Sequence, residues 1–246
     1  MEVKHVTSKN RNKIRTIYRI LYKAFGPQHW WPGESPFEIA VGAILTQNTN
    51  WGNVEKAIVN LKAAHVLSAG KIHEMPVNAL AAFIRPAGYF NIKAERLKSF
   101  IHFFCEQYGG SVKKLAKEDD RILREKLLSV HGIGPETADS ILLYALGKPI
   151  FVIDAYTKRI LSRHGIMGHD EPYSNFQKLF HSSLGRDVRR YNEYHALLVA
   201  TGKFFCKPKP LCVKCPLFSL ERSQDSLKHL HSSQRPRQQG MGSFQK

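Results

Sequence analysis

The sequence predicts an all-α fold, and three observations predict it. Apolar residues recur at helical spacing in several windows, strand-like alternation is hard to find, and glycine- and proline-rich turns cut the chain into roughly ten segments of helical length. The 246 residues, 43% apolar and 11% aromatic, suffice to bury one large core or two small ones. Lysine and arginine (37) outnumber aspartate and glutamate (20), leaving a net charge of +17. Such a surplus suits a polyanionic partner, nucleic acid first, although a basic protein with no such partner has the same composition. No apolar run approaches the ~20 residues of a membrane span. The N-terminus Met1-Glu2-Val3-Lys4-His5 has neither the apolar stretch nor the cleavage site of a signal peptide. A cytoplasmic, nucleoid-associated protein is expected.

Taken in order, Ile14, Ile17, Tyr18, Leu21, Tyr22 and Phe25 line one face of a first helix, which Phe25-Gly26-Pro27 ends. A tryptophan-rich segment follows, His29-Trp30-Trp31-Pro32, then Phe37-Glu38, Leu45-Thr46-Gln47-Asn48-Thr49 and Trp51. Pro86-Ala87-Gly88-Tyr89-Phe90-Asn91 reads as a loop, and Leu97, Phe100, Ile101 and Phe104 as a helix face closed by Tyr108-Gly109-Gly110. Cys105, in that helix, reads as a buried residue.

The most informative segment is Leu127-Leu128-Ser129-Val130-His131-Gly132-Ile133-Gly134-Pro135-Glu136-Thr137-Ala138, with Ile141, Leu142 and Ala145 on one helical face with Ala138. This is helix, glycine turn, helix, spanning about 122–148. Gly132 and Gly134 are expected to supply positive φ and close backbone approach, and Pro135 suits the first position of a helix. The loop amides and the helix N-terminus then form a nest that grips a phosphate whatever base is attached. The plainer alternative is a hairpin whose glycines only cap. Twenty residues after Gly134 stands Asp154, behind the apolar run Ile150-Phe151-Val152-Ile153 and ahead of the helical Ala155-Tyr156-Thr157-Lys158-Arg159-Ile160; at minimum it is a helix N-cap.

Cys206, Cys212 and Cys215 crowd into ten residues near Lys207-Pro208-Lys209-Pro210, which argues for thiols or a metal rather than disulfides. From residue 222 to 246 the composition turns to Ser, Gln, Arg and His and predicts a disordered tail. The tail holds five basic side chains and one acidic one, so the remainder keeps +13.

The glycine hairpin, the Val152-Ile153-Asp154 that follows it and the cysteine cluster near the end, in this order and spacing, resemble the endonuclease III branch of the helix-hairpin-helix DNA glycosylase superfamily, over roughly residues 10–221. The resemblance implies two helical domains with a DNA-binding cleft between them. One is a six-helix barrel over roughly 28–137 that includes the hairpin; the other combines 1–27 with 138–221 and carries the cysteine loop. It implies a monomer acting on double-stranded DNA that contains a damaged base, with Asp154 as the catalytic carboxylate. The chemistry agrees, because cleaving a glycosidic bond builds oxocarbenium character that a carboxylate stabilises while it orients water.

The chain departs from that family in two places. Bifunctional members carry a nucleophilic lysine where this sequence has Glu136, and a carboxylate forms no Schiff base, so lyase activity is not expected. Glu136 either joins Asp154 in the active site or simply favours the first turn of its helix. The family's iron–sulfur loop needs four thiolates, and the expected fourth position holds Glu221. Three outcomes stay open for Cys206, Cys212 and Cys215: a cluster with an incomplete ligand set, a zinc ion, or a loop folded without metal. Lys207, Lys209 and Lys214 contact phosphate in each case.

By the same resemblance Gln47 fills the gap left by an extruded base and Tyr89 wedges into the opposite strand. The alternatives are a polar residue at a helix end for Gln47 and a core aromatic after a turn for Tyr89. The Trp-Trp-Pro, Leu-Thr-Gln-Asn-Thr and Gly-Ile-Gly-x-Glu patterns look most like the 3-methyladenine glycosylases of this branch, which assigns Trp30, Trp31, Pro32 and Trp51 to the base pocket. Indole faces favour a cationic alkylated base; plain core filling is the other reading. Lys203 falls where these relatives also carry a lysine, near the acids or against phosphate. The expected activity is a monofunctional glycosylase of base-excision repair removing an alkylated base. Two alternatives stand beside it: a bifunctional glycosylase/lyase for oxidised pyrimidines, and a non-catalytic DNA-binding protein.

Overall fold

The structure, a computed structural model, describes residues 6–30 and 33–220. Trp31, Pro32, Glu221 and the tail over 222–246 lie outside the described residues. Among those described the chain is all-α, without a strand.

Helix α1 (Ser8–Phe25) is followed by α2 (Pro36–Leu45), α3 (Trp51–Ala63), α4 (Ala69–Glu74), α5 (Val77–Phe83), α6 (Phe90–Tyr108), α7 (Val112–Lys117) and α8 (Asp120–Ser129). Then come α9 (Pro135–Ser140), which continues into a π-helical turn at Ile141–Ala145, α10 (Ala155–Arg163), α11 (Tyr173–Leu184) and α12 (Val188–Phe204). The sequence predicts fewer helices because α4, α5 and α7 are only six or seven residues long, too short for a periodic pattern. Side-chain caps mark many of the starts instead: Thr7, Ser35, Asn50, Ser68, Ser111, Asp119, Asp154 and Asp187 each accept a first-turn N–H.

Helix α2 is central. Its Ile39, Ala40, Val41, Ile44 and Leu45 are all buried, and it packs on α3, α6, α9 and the π turn. A helix apolar on every side must be enclosed. Helix α1 lies against α11 and α12 through Ile14, Ile17 and Leu21, and Tyr194 Oη donates to Ile14 O at 2.8 Å. The hairpin helices are locked together by a fork: Arg124 donates to both carboxylate oxygens of Asp139 at 2.7 and 3.1 Å, and Asp139 is fully buried. A charge in that position is stable only while its partner remains.

Candidate active site

Asp154 is delivered by an extended segment that no sheet supports. Phe151, Val152 and Ile153 are buried, so their backbone groups need partners from elsewhere. Helix α11 supplies them from one face, at i, i+4 and i+8. Ile153 N donates to Tyr173 Oη at 3.2 Å, Gln177 Nε2 donates to Phe151 O at 2.8 Å, and Phe151 N donates to His181 Nε2 at 3.0 Å. Burial, with smaller contributions from nearby charges, pushes the His181 pKa down to about 4, so its ring nitrogen remains an acceptor at neutral pH. Gln177 also donates to Asp139 Oδ2 at 2.7 Å, which ties this strut to the hairpin.

So held, the chain enters α10 with Asp154 as N-cap, its Oδ1 accepting Thr157 N at 2.7 Å. The cap uses one carboxylate oxygen and leaves the other. Oδ2 lies 3.6 Å from Nε2 of His195 on α12, while Tyr144 Oη pairs with the opposite nitrogen, Nδ1, at 2.5 Å. Tyr144 comes from the π turn, an irregularity often found where a helix must aim a side chain. Burial, then the charges of Asp154 and Glu136, raise the Tyr144 pKa well above its ordinary value. Tyr144 is therefore a phenol that donates to Nδ1, and His195 carries its proton on Nε2, facing Asp154. Burial lowers the His195 pKa against the pull of Asp154, and Nε2 has no hydrogen-bond partner, 3.6 Å being too long for one. The Trp30 indole stacks over His195 (5.8 Å, 26°) and meets Tyr144 edge-on (5.3 Å, 65°).

Glu136 sits in the first turn of α9 with its side chain exposed. Desolvation by neighbouring protein first, and the Asp154 charge second, push its pKa up to about 7. The structure thus brings Asp154, Glu136 and Trp30 to one place, and adds His195 and Tyr144. Sequence reasoning missed both. His195 lies in the apolar stretch Tyr194-His195-Ala196-Leu197-Leu198, and a histidine on a buried helix face was the signal.

At the hairpin the two glycines differ. Gly132 has φ +80, and a Cβ there would meet Arg96 Cγ at 2.1 Å, so glycine is required twice over. Gly134 departs from expectation: its φ is −90 and its ψ 177, extended backbone open to any residue. It serves as the N-cap of α9, and a Cβ on it would meet nothing within 4 Å, so its contribution is an uncovered approach to the helix N-terminus. Gln47 is tied to this turn, its Nε2 donating to Gly132 O (2.9 Å) and Thr137 Oγ1 (3.0 Å) while Arg96 donates to its Oε1 (2.6 Å).

Tyr89 is no core aromatic. It is 71% exposed, with φ +47 in the left-handed region, at the N-terminus of α6. Beneath it Lys93, buried with a pKa lowered to about 8, donates to Ala87 O at 2.7 Å. Trp51 packs on Gly42 and gives its indole N–H to Glu55 at 2.9 Å, contacts that do not join it to Trp30. Lys203 is exposed, its ammonium 5.7 Å from the Phe204 ring, and makes no ion pair with either acid. Trp31 and Pro32 fall outside the described residues.

The cysteine loop is held by arginines of α10. Arg159 donates to Cys206 O at 2.7 Å, and Arg163 to Cys206 Sγ at 3.3 Å and to Lys207 O at 2.6 Å. Among the described residues the sulfurs of Cys206, Cys212 and Cys215 do not all lie within the 4.8 Å that a single ion would ask of three donors, and a guanidinium faces one of them. Three thiols are one short of the four thiolates of an iron–sulfur cluster, so the loop's described residues do not make a complete cluster site. Lys207, Lys209 and Lys214 are all exposed.

An all-helical frame with a glycine hairpin, and a capped aspartate near a second carboxylate, is the arrangement that the sequence resemblance to the helix-hairpin-helix DNA glycosylases leads one to expect. Over residues 41–185 the chain matches the HhH-GPD superfamily of base excision DNA repair proteins, and it belongs to that superfamily. It is 49% identical to a candidate DNA repair glycosylase of Methanocaldococcus jannaschii, across 83% of this chain and 93% of that one. It is 28% identical to endonuclease III of Thermotoga maritima, across 82% and 89%. The structure of the H. pylori 3-methyladenine DNA glycosylase bound to 1,N6-ethenoadenine superimposes with a TM-score of 0.69 at 30% identity, covering 79% of this chain and 97% of that one. Endonuclease III in a non-covalent DNA complex shares the fold, with a TM-score of 0.76 at 22% identity, across 90% and 98%. No helix of the described residues is long and apolar enough to cross a membrane.

Proposed function

We propose that this protein is a monofunctional DNA glycosylase that flips an alkylated, 3-methyladenine-like base out of duplex DNA and removes it by hydrolysis. The observation that carries the reading is the grouping of an indole with two carboxylates: Trp30 stacked on His195, His195 facing Asp154, and Asp154 raising Glu136. An indole face attracts a cationic ring by about 1–2 kcal/mol once water is excluded. As the C1′–N bond breaks, its electron pair leaves with the base, and a cationic alkylated base departs neutral without a proton donor. Asp154 Oδ2 stabilises the sugar cation, water adds to C1′, and a carboxylate takes the water's proton. The partner is duplex DNA lying between the barrel and the helices around α1 and α12, bound by a monomer. Gly132 and Gly134 hold its backbone, Lys207, Lys209 and Lys214 contact phosphates, Gln47 fills the vacated stack and Tyr89 enters the opposite strand.

Lyase chemistry needs an accessible amine. Lys93 is sealed from solvent at the Tyr89 loop, and Glu136 occupies the hairpin position where a lysine would serve. The test is incubation with duplex DNA carrying methylated purines and identification of the bases set free. Free 3-methyladenine and no covalent adduct on borohydride treatment with abasic DNA are expected; an adduct ends the monofunctional assignment, and release of oxidised pyrimidines alone ends the alkyl-base assignment.

A further inference from the structure

We infer that His73, His102 and Glu106 form a surface site for one divalent transition-metal ion, zinc by its ligand set, which clamps α4 to α6 away from the reaction centre. The three donor atoms all lie within 4.8 Å of one another. His102 and Glu106 are one turn apart on α6, and His73 faces them from α4. The two imidazole rings are parallel to within 8° with centroids 6.0 Å apart. A tetrahedral ion with bonds of about 2 Å holds its donors about 3.3 Å apart and two imidazole centres roughly 5 Å apart, so side-chain rotation of an ångström or so closes the site. The backbone at this point is already fixed. Lys98, one turn before His102, donates its ammonium to the carbonyls of Ile72 (3.0 Å), His73 (2.5 Å) and Met75 (2.9 Å). The same face of α6 therefore braces the end of α4 and presents the two ligands. The contact that the ligand side chains give up on binding is the stack of the two rings on each other.

Two imidazoles and one carboxylate suit Zn²⁺, Cu²⁺ or Ni²⁺ and reject Mg²⁺ and Ca²⁺, which take oxygen. Three protein donors leave a fourth position to water. None of the three ligands is among the groups that the structure shows acting on Asp154 or Glu136, so the ion braces the fold and is given no part in the chemistry there.

The test is zinc titration of the full-length, tag-free chain stripped with chelator, beside the His73→Ala/His102→Ala and Glu106→Gln variants. These exposed positions leave the fold intact without metal. Because the cysteine loop is a second sink for zinc, the readout is the difference between chains, together with Co²⁺ spectra, in which thiolate charge-transfer bands mark cysteine binding. The expected result is one equivalent fewer in the double variant, and a rise in Tm of about 5–10 °C at a hundredfold excess over Kd that the double variant lacks. Equal stoichiometry in both chains, an equal Tm rise in both, or cobalt binding with thiolate bands alone overturns the inference.

Discussion

Glu136 offers the sharpest test of the chemistry, because its pKa of about 7 places its titration near neutral pH. If its carboxylate attracts the cationic base and helps deprotonate water, single-turnover base release follows the ionised fraction. That fraction is about one tenth at pH 6 and nine tenths at pH 8, so the rate rises about tenfold across the interval. Glu136→Gln keeps the shape and removes the charge. Its profile is expected to be flat from pH 6 to 8 and to lie about a hundredfold below the native chain at pH 8. The assay is release of labelled 3-methyladenine from duplex DNA, corrected at each pH for spontaneous depurination. A Glu136→Gln chain that keeps the tenfold rise with the same midpoint refutes the assignment, since some other group is then titrating. A rate that falls with pH in the native chain refutes it in another way: Glu136 would be acting as an acid toward a neutral base.

Asp154→Asn retains the cap, since asparagine caps as well as aspartate, so Tm should hold within a degree or two while base release falls by about 10²-fold or more; an active variant removes Asp154 from the mechanism. Tyr89→Ala deletes an exposed ring, so urea unfolding should move by less than about 0.5 kcal/mol while affinity for lesion-bearing duplex drops by the ~1–3 kcal/mol of a lost stacking contact. Arg124→Met leaves Asp139 buried without its counter-charge, although Gln177 still donates to it, a cost of about 3–5 kcal/mol visible in the denaturation midpoint. For His181 the folded pKa of about 4 lies below the unfolded value near 6.5, so between those values the unfolded chain binds more protons. Stability is accordingly lost as pH falls from about 6.5 to 4, and His181→Gln should flatten that part of the stability curve.

What the sequence makes legible is whatever local pattern encodes. The long helices announce themselves through apolar spacing, the hairpin through Gly132-Ile133-Gly134-Pro135, and the start of α10 through an aspartate between an apolar run and a helical one. Asp154, Glu136 and Trp30 lie together, which is one of the two readings left open for Glu136, while Trp51 packs on Gly42 and Glu55 instead. The remainder depends on contacts between distant segments. Nothing near Gly132 in sequence says that Arg96 lies where its Cβ would be, and the i, i+4, i+8 set on α11 has meaning only once Phe151–Ile153 lies across it. Gly134 misled because a glycine beside a proline suggests a left-handed turn, whereas the turn needs only one such residue and Gly132 supplies it. Tyr89 was ambiguous for a similar reason: an aromatic after a glycine is a core residue in one backbone conformation and a protruding one in another.

The arrangement also explains how one carboxylate can serve two purposes. The cap fixes Asp154 through Oδ1 at the N-terminus of α10. Oδ2 meanwhile faces an imidazole N–H that is close enough to polarise it and too far to claim it. The Glu136 pKa is raised by desolvation first and by the Asp154 charge second. Two acids held in different places can divide the labour of hydrolysis, one lying against the sugar while Glu136, with its raised pKa, exchanges a proton with water. The division rests on Asp154 staying where the α11 struts hold it. Removing one strut, for instance by Gln177→Leu, should therefore slow base release and move the Glu136 midpoint downward as the acids part, although no residue of the site itself has been changed.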